Sequence, residues 1–266
     1  MKITILTLFP EMFTSFLNNS IIKRAISKDL VSFELVNIRD FTLDKHHRVD
    51  NPPVGGGAGL IMMCQPVIDA LKASRKDNSL TLITSPKGST FNQEKALKLA
   101  KEEHLIFICG HYEGIDERVN NFVDESISLG DFVLTGGETA VMVMSDAITR
   151  LIPGVITEES TEEESFSDGT LEYPQYTLPY DYEGYKIPDI LFSGNHTAIK
   201  KWRRKKALLD TKKYRPDLFE KLVLTKQDKK LLEEDEHPKW ELDALEKGKK
   251  FIKKDKNEPV WLKRTV

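Results

Sequence analysis

Short apolar runs alternate with amphipathic stretches along this chain, and several stop at glycine. Residues 2–9 are β-branched and apolar, which predicts a first, buried strand. Residues 11–29 place Phe13, Phe16, Leu17, Ile21, Ile22 and Ala25 on one side of a helix. Val31–Ile38 alternates apolar and polar positions as a second strand does. Gln65–Lys76 is an amphipathic helix with Val67, Ile68, Ala70 and Leu71 inward. Leu80–Thr84 predicts a strand, and Thr90-Phe91-Asn92-Gln93 resembles a capping box that opens a helix over Gln93–Glu102. A strand over Leu105–Cys109, a helical turn at Asp116–Val119 and a strand over Phe122–Ser128 follow. Glu138–Leu151 is a strongly apolar helix stopped by Pro153-Gly154. Runs apolar on both faces, alternating with helices, predict a parallel α/β sheet covered on both sides.

Three of these runs share one kind of exit. Leu80–Thr84 leads into Ser85-Pro86-Lys87-Gly88, Leu105–Cys109 into Gly110 and Gly114, and the strand-like Asp131–Leu134 into Gly136-Gly137. Glycine at a strand end leaves the backbone open to a ligand, and ligands sit at the carboxyl ends of parallel strands. Glu113, Asp116, Glu117 and Glu138 lie beside these glycines, so the pattern points to one built pocket. Between Arg39 and Leu60 runs a long polar loop closed by Gly55-Gly56-Gly57 and Gly59. Its glycines fail both the dinucleotide fingerprint and the phosphate-binding P-loop pattern. Two readings stand: a mobile surface loop, or a flap that brings His47, Arg48 and Asp50 to a polyanion or a base.

Composition shifts at Ile156. Thr157–Ser165 is acidic and rich in Ser and Thr, with no apolar period, and reads as a linker. It leads into a segment punctuated by aromatics and proline, from Ser165 to Tyr176. Past Pro188 the chain turns helical and basic. Ser193-Gly194-Asn195-His196 offers an N-cap, and Thr197–Leu209 carries Lys200, Lys201, Arg203, Arg204, Lys205 and Lys206 beside Trp202. Such a helix is either a solvated face or a phosphate-backbone surface, and its local excess of positive charge in a chain of net charge −3 favours nucleic acid. The 266 residues, 39% hydrophobic, suffice for one or two cores. The two cysteines, Cys64 and Cys109, are in no metal spacing and read as buried thiols of a cytoplasmic protein. The apolar N-terminus is short and reads as a strand, not a signal peptide, and no apolar run is long enough to span a membrane.

In this order the chain resembles the bacterial tRNA (guanine-N1)-methyltransferases that act at guanine 37. The resemblance rests on Thr7–Phe13, Val54–Leu60, the run from Cys109 to Arg118, Ser128–Glu138, Ser165–Gly169 and Ser193–His196. It covers nearly the whole chain. It implies a parallel α/β domain over residues 1–155 whose C-terminal part forms a trefoil knot, which the base rate for knots would not have suggested. It implies a linker over 156–188, a small helical tRNA-binding domain over 189–266, and a homodimer with sites shared at the subunit interface.

The resemblance also assigns residues. S-adenosylmethionine would be held by Ser85, Pro86 and Gly88, by Gly110, by Tyr112-Glu113-Gly114, by Leu129-Gly130-Asp131-Phe132-Val133-Leu134, and by Gly136-Gly137. Asp168 would act as general base on guanine N1, and Arg150 would stabilise charge building on O6. Glu113 would contact the base or a magnesium ion. tRNA would meet His47, Arg48, Asp50, Ser193, Asn195, His196, Lys200, Lys201, Arg203 and Arg204. Read without the family, Asp168 is a turn residue in Asp-Gly and Arg150 a cation at a helix C-terminus. Three positions depart from the family pattern: His111 and Leu178 stand where arginine is usual, and Val54 where an aromatic often precedes the glycines. A non-catalytic RNA-binding protein, or a related knotted methyltransferase with another RNA target, are the alternative readings.

Overall fold

The computed structural model describes residues 1–157 and 164–257, with side chains through Lys249. The acidic run 158–163, near the start of the expected linker, lies outside the described residues. The chain divides into two compact units, Met1–Thr161 and Glu162–Val266.

The first unit is built on a five-stranded parallel sheet. β1 (Lys2–Thr7) pairs with β2 (Ser32–Asn37) on one side and with β6 (His104–Ile108) on the other. β6 pairs with β5 (Ser79–Thr90), and β5 with the edge strand β7 (Glu125–Ser128). Alternation sorts the apolar side chains onto two faces. Ile3, Ile5, Leu82, Leu105 and Phe107 join one core with Val141, Met144 and Ile148 of α5 (Gly137–Thr149). Leu6, Ile83, Ile106 and Ile108 join the other with Val67 and Leu71 of α3 (Cys64–Ser74). Both faces are therefore covered, as continuous apolar strands require.

Local chemistry sets the differences from expectation. Residues 11–29 are not one helix. A 3-10 turn at Pro10–Phe13 and α1 (Thr14–Leu17) precede α2 (Ser20–Ser27). The break falls where the Asn18 and Asn19 side-chain amides donate back to the carbonyls of Thr14 and Ser15, each at 2.8 Å. α4 (Gln93–Leu99) is capped by Asn92, whose side chain accepts from the Lys95 N–H, while Thr90 belongs to β5. β7 starts at Glu125, after a 3-10 turn over Glu117–Asn121. Asp131–Leu134 is not a strand but an exposed loop, turned out beyond Gly130, whose φ is +152°.

Inside β5, residues 85–88 bulge out and return: Thr84 and Ser89 both register with Ile127 of β7. The return passes so close that a Cβ on Gly88 would lie 2.5 Å from the Ile127 Cα. Only glycine fits there. The long polar loop carries the hairpin of β3 (Asp50–Asn51) and β4 (Ile61–Met62), with Val49 fully buried beneath it and Val54 fully exposed at its tip.

The second unit begins with the aromatic segment. It includes the hairpin β8 (Asp181–Tyr182) and β9 (Tyr185–Lys186), then α6 (His196–Tyr214), α7 (Pro216–Phe219), α8 (Lys226–Glu233) and α9 (Lys239–Asn257). Ile190, Ala198, Trp202 and Ala244 form its core. Residues 164–188, expected as the far part of the linker, pack within this unit, where the Leu171 N–H donates to the Thr211 hydroxyl at 2.8 Å.

Candidate methyl-donor pocket and base

A cavity of about 220 Å³ opens at the bulge inside β5 and beyond the carboxyl ends of β6 and β7. Thr84-Ser85-Pro86, Gly110–Gly114, Ile127–Gly130 and Phe132–Gly137 wall it, with Ala140 at its base. Two glycines bring its walls together. The Gly137 N–H donates to the Gly110 carbonyl at 2.8 Å, and a Cβ on Gly137 would lie 2.8 Å from the Cys109 Cα. α5 thus starts flush against the end of β6, with its first turn beside the cavity. The outer wall is apolar: Phe132, Val133 and Leu134 are exposed around the mouth.

Of the residues expected to hold the methyl donor, Gly88 and Asp131 do not line this cavity, and the others do. Gly88 is committed to the crossing with β7. Thr84, His111 and Thr135 line the cavity unforeseen. The glycine-rich loop docks on the same region. The Glu113 N–H donates to the Leu60 carbonyl at 3.0 Å, and the Met62 N–H to the Gly114 carbonyl at 2.9 Å. Gly59 sits directly against the Glu113 side chain. Behind the cavity lies a buried polar chain. Glu138, 1% exposed, accepts from the Thr7 hydroxyl at 2.6 Å, and its second oxygen lies 2.6 Å from His111 Nε2. Cys109 is fully buried, and burial together with the Glu138 charge pushes its thiol well above the ordinary range, so it is no nucleophile.

Asp168 lies in the second unit. Thr170 donates to its Oδ1 from the backbone at 3.0 Å and from the hydroxyl at 2.5 Å, while Arg204 donates to Oδ2. Arg204 is itself fixed on Asp228, Nε to Oδ1 at 2.8 Å, and Asp228 completes the capping box of α8 with Thr225. Burial pushes the Asp168 carboxyl up, but the Thr170 donors and Arg204 outweigh it and hold it below the usual range. Asp168 shares a cavity of about 220 Å³ with Glu164, Glu172, Tyr173, Lys200, Arg203 and Arg204. Arg150 caps the end of α5 in the first unit, its N–H donating to the Asp146 carbonyl at 3.1 Å.

Comparison with known proteins decides the family. Residues 1–221 match the family model described as tRNA (Guanine-1)-methyltransferase TrmD. This chain belongs to that family. A tRNA (guanine-N(1)-)-methyltransferase of Clostridium perfringens strain ATCC 13124 is 59% identical over 234 residues, 87% of this chain and 99% of its own length. One of Clostridium botulinum strain Hall is 57% identical over 236 residues, 88% of this chain and 98% of its own.

Within this TrmD-family chain the residues expected to meet tRNA are unequally available. His196 and Lys200 are exposed. Asn195 is spent on the Ala198 N–H as N-cap of α6, and Ser193 Oγ accepts from the Asn195 N–H at 3.2 Å. Arg203 lies over the Tyr173 ring at 4.6 Å, and Lys201 over Trp240 at 5.7 Å. Lys205 is buried and donates to the carbonyls of Glu234 and Asp235. In the first unit His47 is exposed, Arg48 pairs with Asp44 at 2.7 Å, and Asp50 sits in β3. Among the described residues no cluster of three or more His, Cys, Asp or Glu side chains is placed to hold a metal. No described helix is long and apolar enough to cross a membrane.

Proposed function

We propose that this chain methylates N1 of guanine 37 in tRNA, with S-adenosylmethionine as donor. The observation that carries the reading is the glycine-walled cavity at the β5 bulge and the ends of β6 and β7 in a chain of the TrmD family. The cavity suits that donor in its chemistry: apolar walls, backbone N–H and C=O groups along its loops, and Gly136 and Gly137 where a Cβ would strike His111 and the Cys109 backbone. When bound, the donor supplies an electrophilic methyl group on a sulfonium.

The chain's own residues then have to prepare the base. Guanine N1 carries a proton and is a poor nucleophile until it is lost. Asp168, ionised at neutral pH, accepts that proton, and Arg150 balances the negative charge that moves to O6. Residues 1–155 bind the donor and 189–266 grip the RNA, while the segment 156–188 of a second copy of the chain carries the base to the site. A knotted strand crossing and a cytoplasmic homodimer with shared sites belong to the same reading, and Met12 and Val143 are exposed apolar side chains on the first unit that a second copy would cover.

The test is transfer of labelled methyl groups to two tRNA transcripts that differ only in guanine or adenine at position 37. Incorporation is expected only with guanine. Tight RNA binding without incorporation into either transcript overturns the enzyme reading, and incorporation into both overturns the target.

A further inference from the structure

We propose that His111, held by the buried Glu138, presents its Nδ1 to the donor cavity as a hydrogen-bond acceptor for an N–H of the bound ligand. This rests on the methyl-donor reading of the cavity and adds a positioning pair to it.

The direction of each hydrogen bond follows from the chain of partners. Thr7 Oγ1 accepts from the Phe9 N–H at 2.9 Å, so its own proton goes to Glu138 Oε1 at 2.6 Å. The Glu138 carboxylate stands in the first turn of α5, where the helix dipole favours an anion. Its Oε2, 2.6 Å from His111, therefore takes the proton on Nε2. A neutral imidazole with its proton on Nε2 has a bare Nδ1. Among the described residues no hydrogen bond to that nitrogen is present, and the ring lines the cavity. The ring cannot turn freely. It packs on Phe9 with centroids 4.8 Å apart, and it lies directly against Gly136, where a Cβ would strike it. Glu138 thus fixes both the tautomer and the orientation of a group at the cavity wall, as a carboxylate does for histidines in other polar sites. An arginine at this position offers donors only. The histidine makes this wall an acceptor, and the matching ligand groups are amino or ring N–H groups of the donor or of the target base.

The test has a spectroscopic arm and a binding arm. In the free protein, ¹⁵N shifts of His111 are expected to show Nε2 protonated and Nδ1 bare. In Glu138→Gln, of nearly the same shape, the amide donates to Nε2 and accepts from Thr7, so Nδ1 is expected to carry the proton. Affinity for S-adenosylmethionine and S-adenosylhomocysteine, measured by calorimetry without RNA, should then fall by about tenfold if the partner N–H belongs to the donor. His111→Asn, which keeps an acceptor near Nδ1, should stay close to wild type, while His111→Phe should match Glu138→Gln. If the N–H belongs to the base, the same ordering is expected in the KM for tRNA, with donor affinity unchanged.

A protonated Nδ1 in the wild-type protein overturns the proposal. So does a loss in Glu138→Gln that His111→Phe does not share, because Glu138 then acts on folding alone. Absence of donor binding to the wild-type protein would instead remove the methyl-donor reading beneath it.

Discussion

The proposed base, Asp168, is held by more donors than a resting base needs. Thr170 and Arg204 occupy both oxygens and depress its pKa, which keeps it ionised but makes it a weaker base. Asp168→Asn is expected to lower kcat by about 10²- to 10⁴-fold, the usual worth of general base catalysis, with little change in tRNA affinity. Loss of affinity without loss of kcat would assign Asp168 to binding. Arg204→Gln tests the electrostatics. Its guanidinium lowers the Asp168 pKa, so removing it should move the acid limb of the kcat profile to higher pH. The sign follows directly: a depressed carboxyl stays ionised to lower pH, and an undepressed one protonates earlier on acidification. The other charges near Asp168 are Glu164, Glu172, Lys200 and Arg203, and none changes in the variant. An acid limb that stays in place would mean that Arg204 leaves Asp168 when RNA binds.

At the scale of elements, β6 shows how a buried strand can carry a pH response. His104 opens the strand 3% exposed, with Nε2 2.9 Å from the Thr4 hydroxyl and Nδ1 2.7 Å from the Ser79 hydroxyl. Burial lowers its pKa first, the charges of Lys2 and Lys76 add to this, and Glu34 opposes them. Because the folded state resists the proton that the unfolded chain takes up near pH 6.5, this stability is complete above that pH and is lost on acidification. Thermal unfolding should show Tm falling from pH 7.5 to 5.5. His104→Gln should start about 2–4 °C lower, for roughly 1 kcal/mol of lost hydrogen bonding, and should fall less steeply. Parallel slopes would place the response elsewhere.

The elements themselves were largely legible. Strands buried on both faces must be apolar throughout, so β1, β5 and β6 announced themselves. Asp131–Leu134 looked the same, but its Phe132, Val133 and Leu134 line a cavity mouth, because an apolar run does not say whether it faces a core or a cavity. The Asn18-Asn19 break turns on two local side-chain bonds that periodicity does not register. In the candidate site the glycine exits were readable, since backbone approach needs glycine. The Thr7–Glu138–His111 chain was not, because its members meet only when β1, the loop after β6 and α5 are assembled.

For the whole molecule, a net charge of −3 hides a segregated basic helix, and the fold divides its cations into two kinds. Lys205 is buried on carbonyls, Arg204 is bound to two aspartates and Arg203 lies over Tyr173. Lys200, Lys212 and Lys213 are exposed on the same helix. Only the exposed kind can exchange water for phosphate at low cost. Affinity for tRNA should therefore fall linearly in log–log form with salt, and each exposed lysine that contacts a phosphate should contribute about 0.7–0.9 to the slope. Lys200→Gln is expected to reduce the slope by that amount with no change in Tm. Lys205→Gln should leave the slope unchanged and lower Tm, because it leaves the Glu234 and Asp235 carbonyls without their buried donor. If Lys205→Gln flattens the salt dependence and Lys200→Gln does not, the RNA reads the opposite face of α6 from the one this fold exposes.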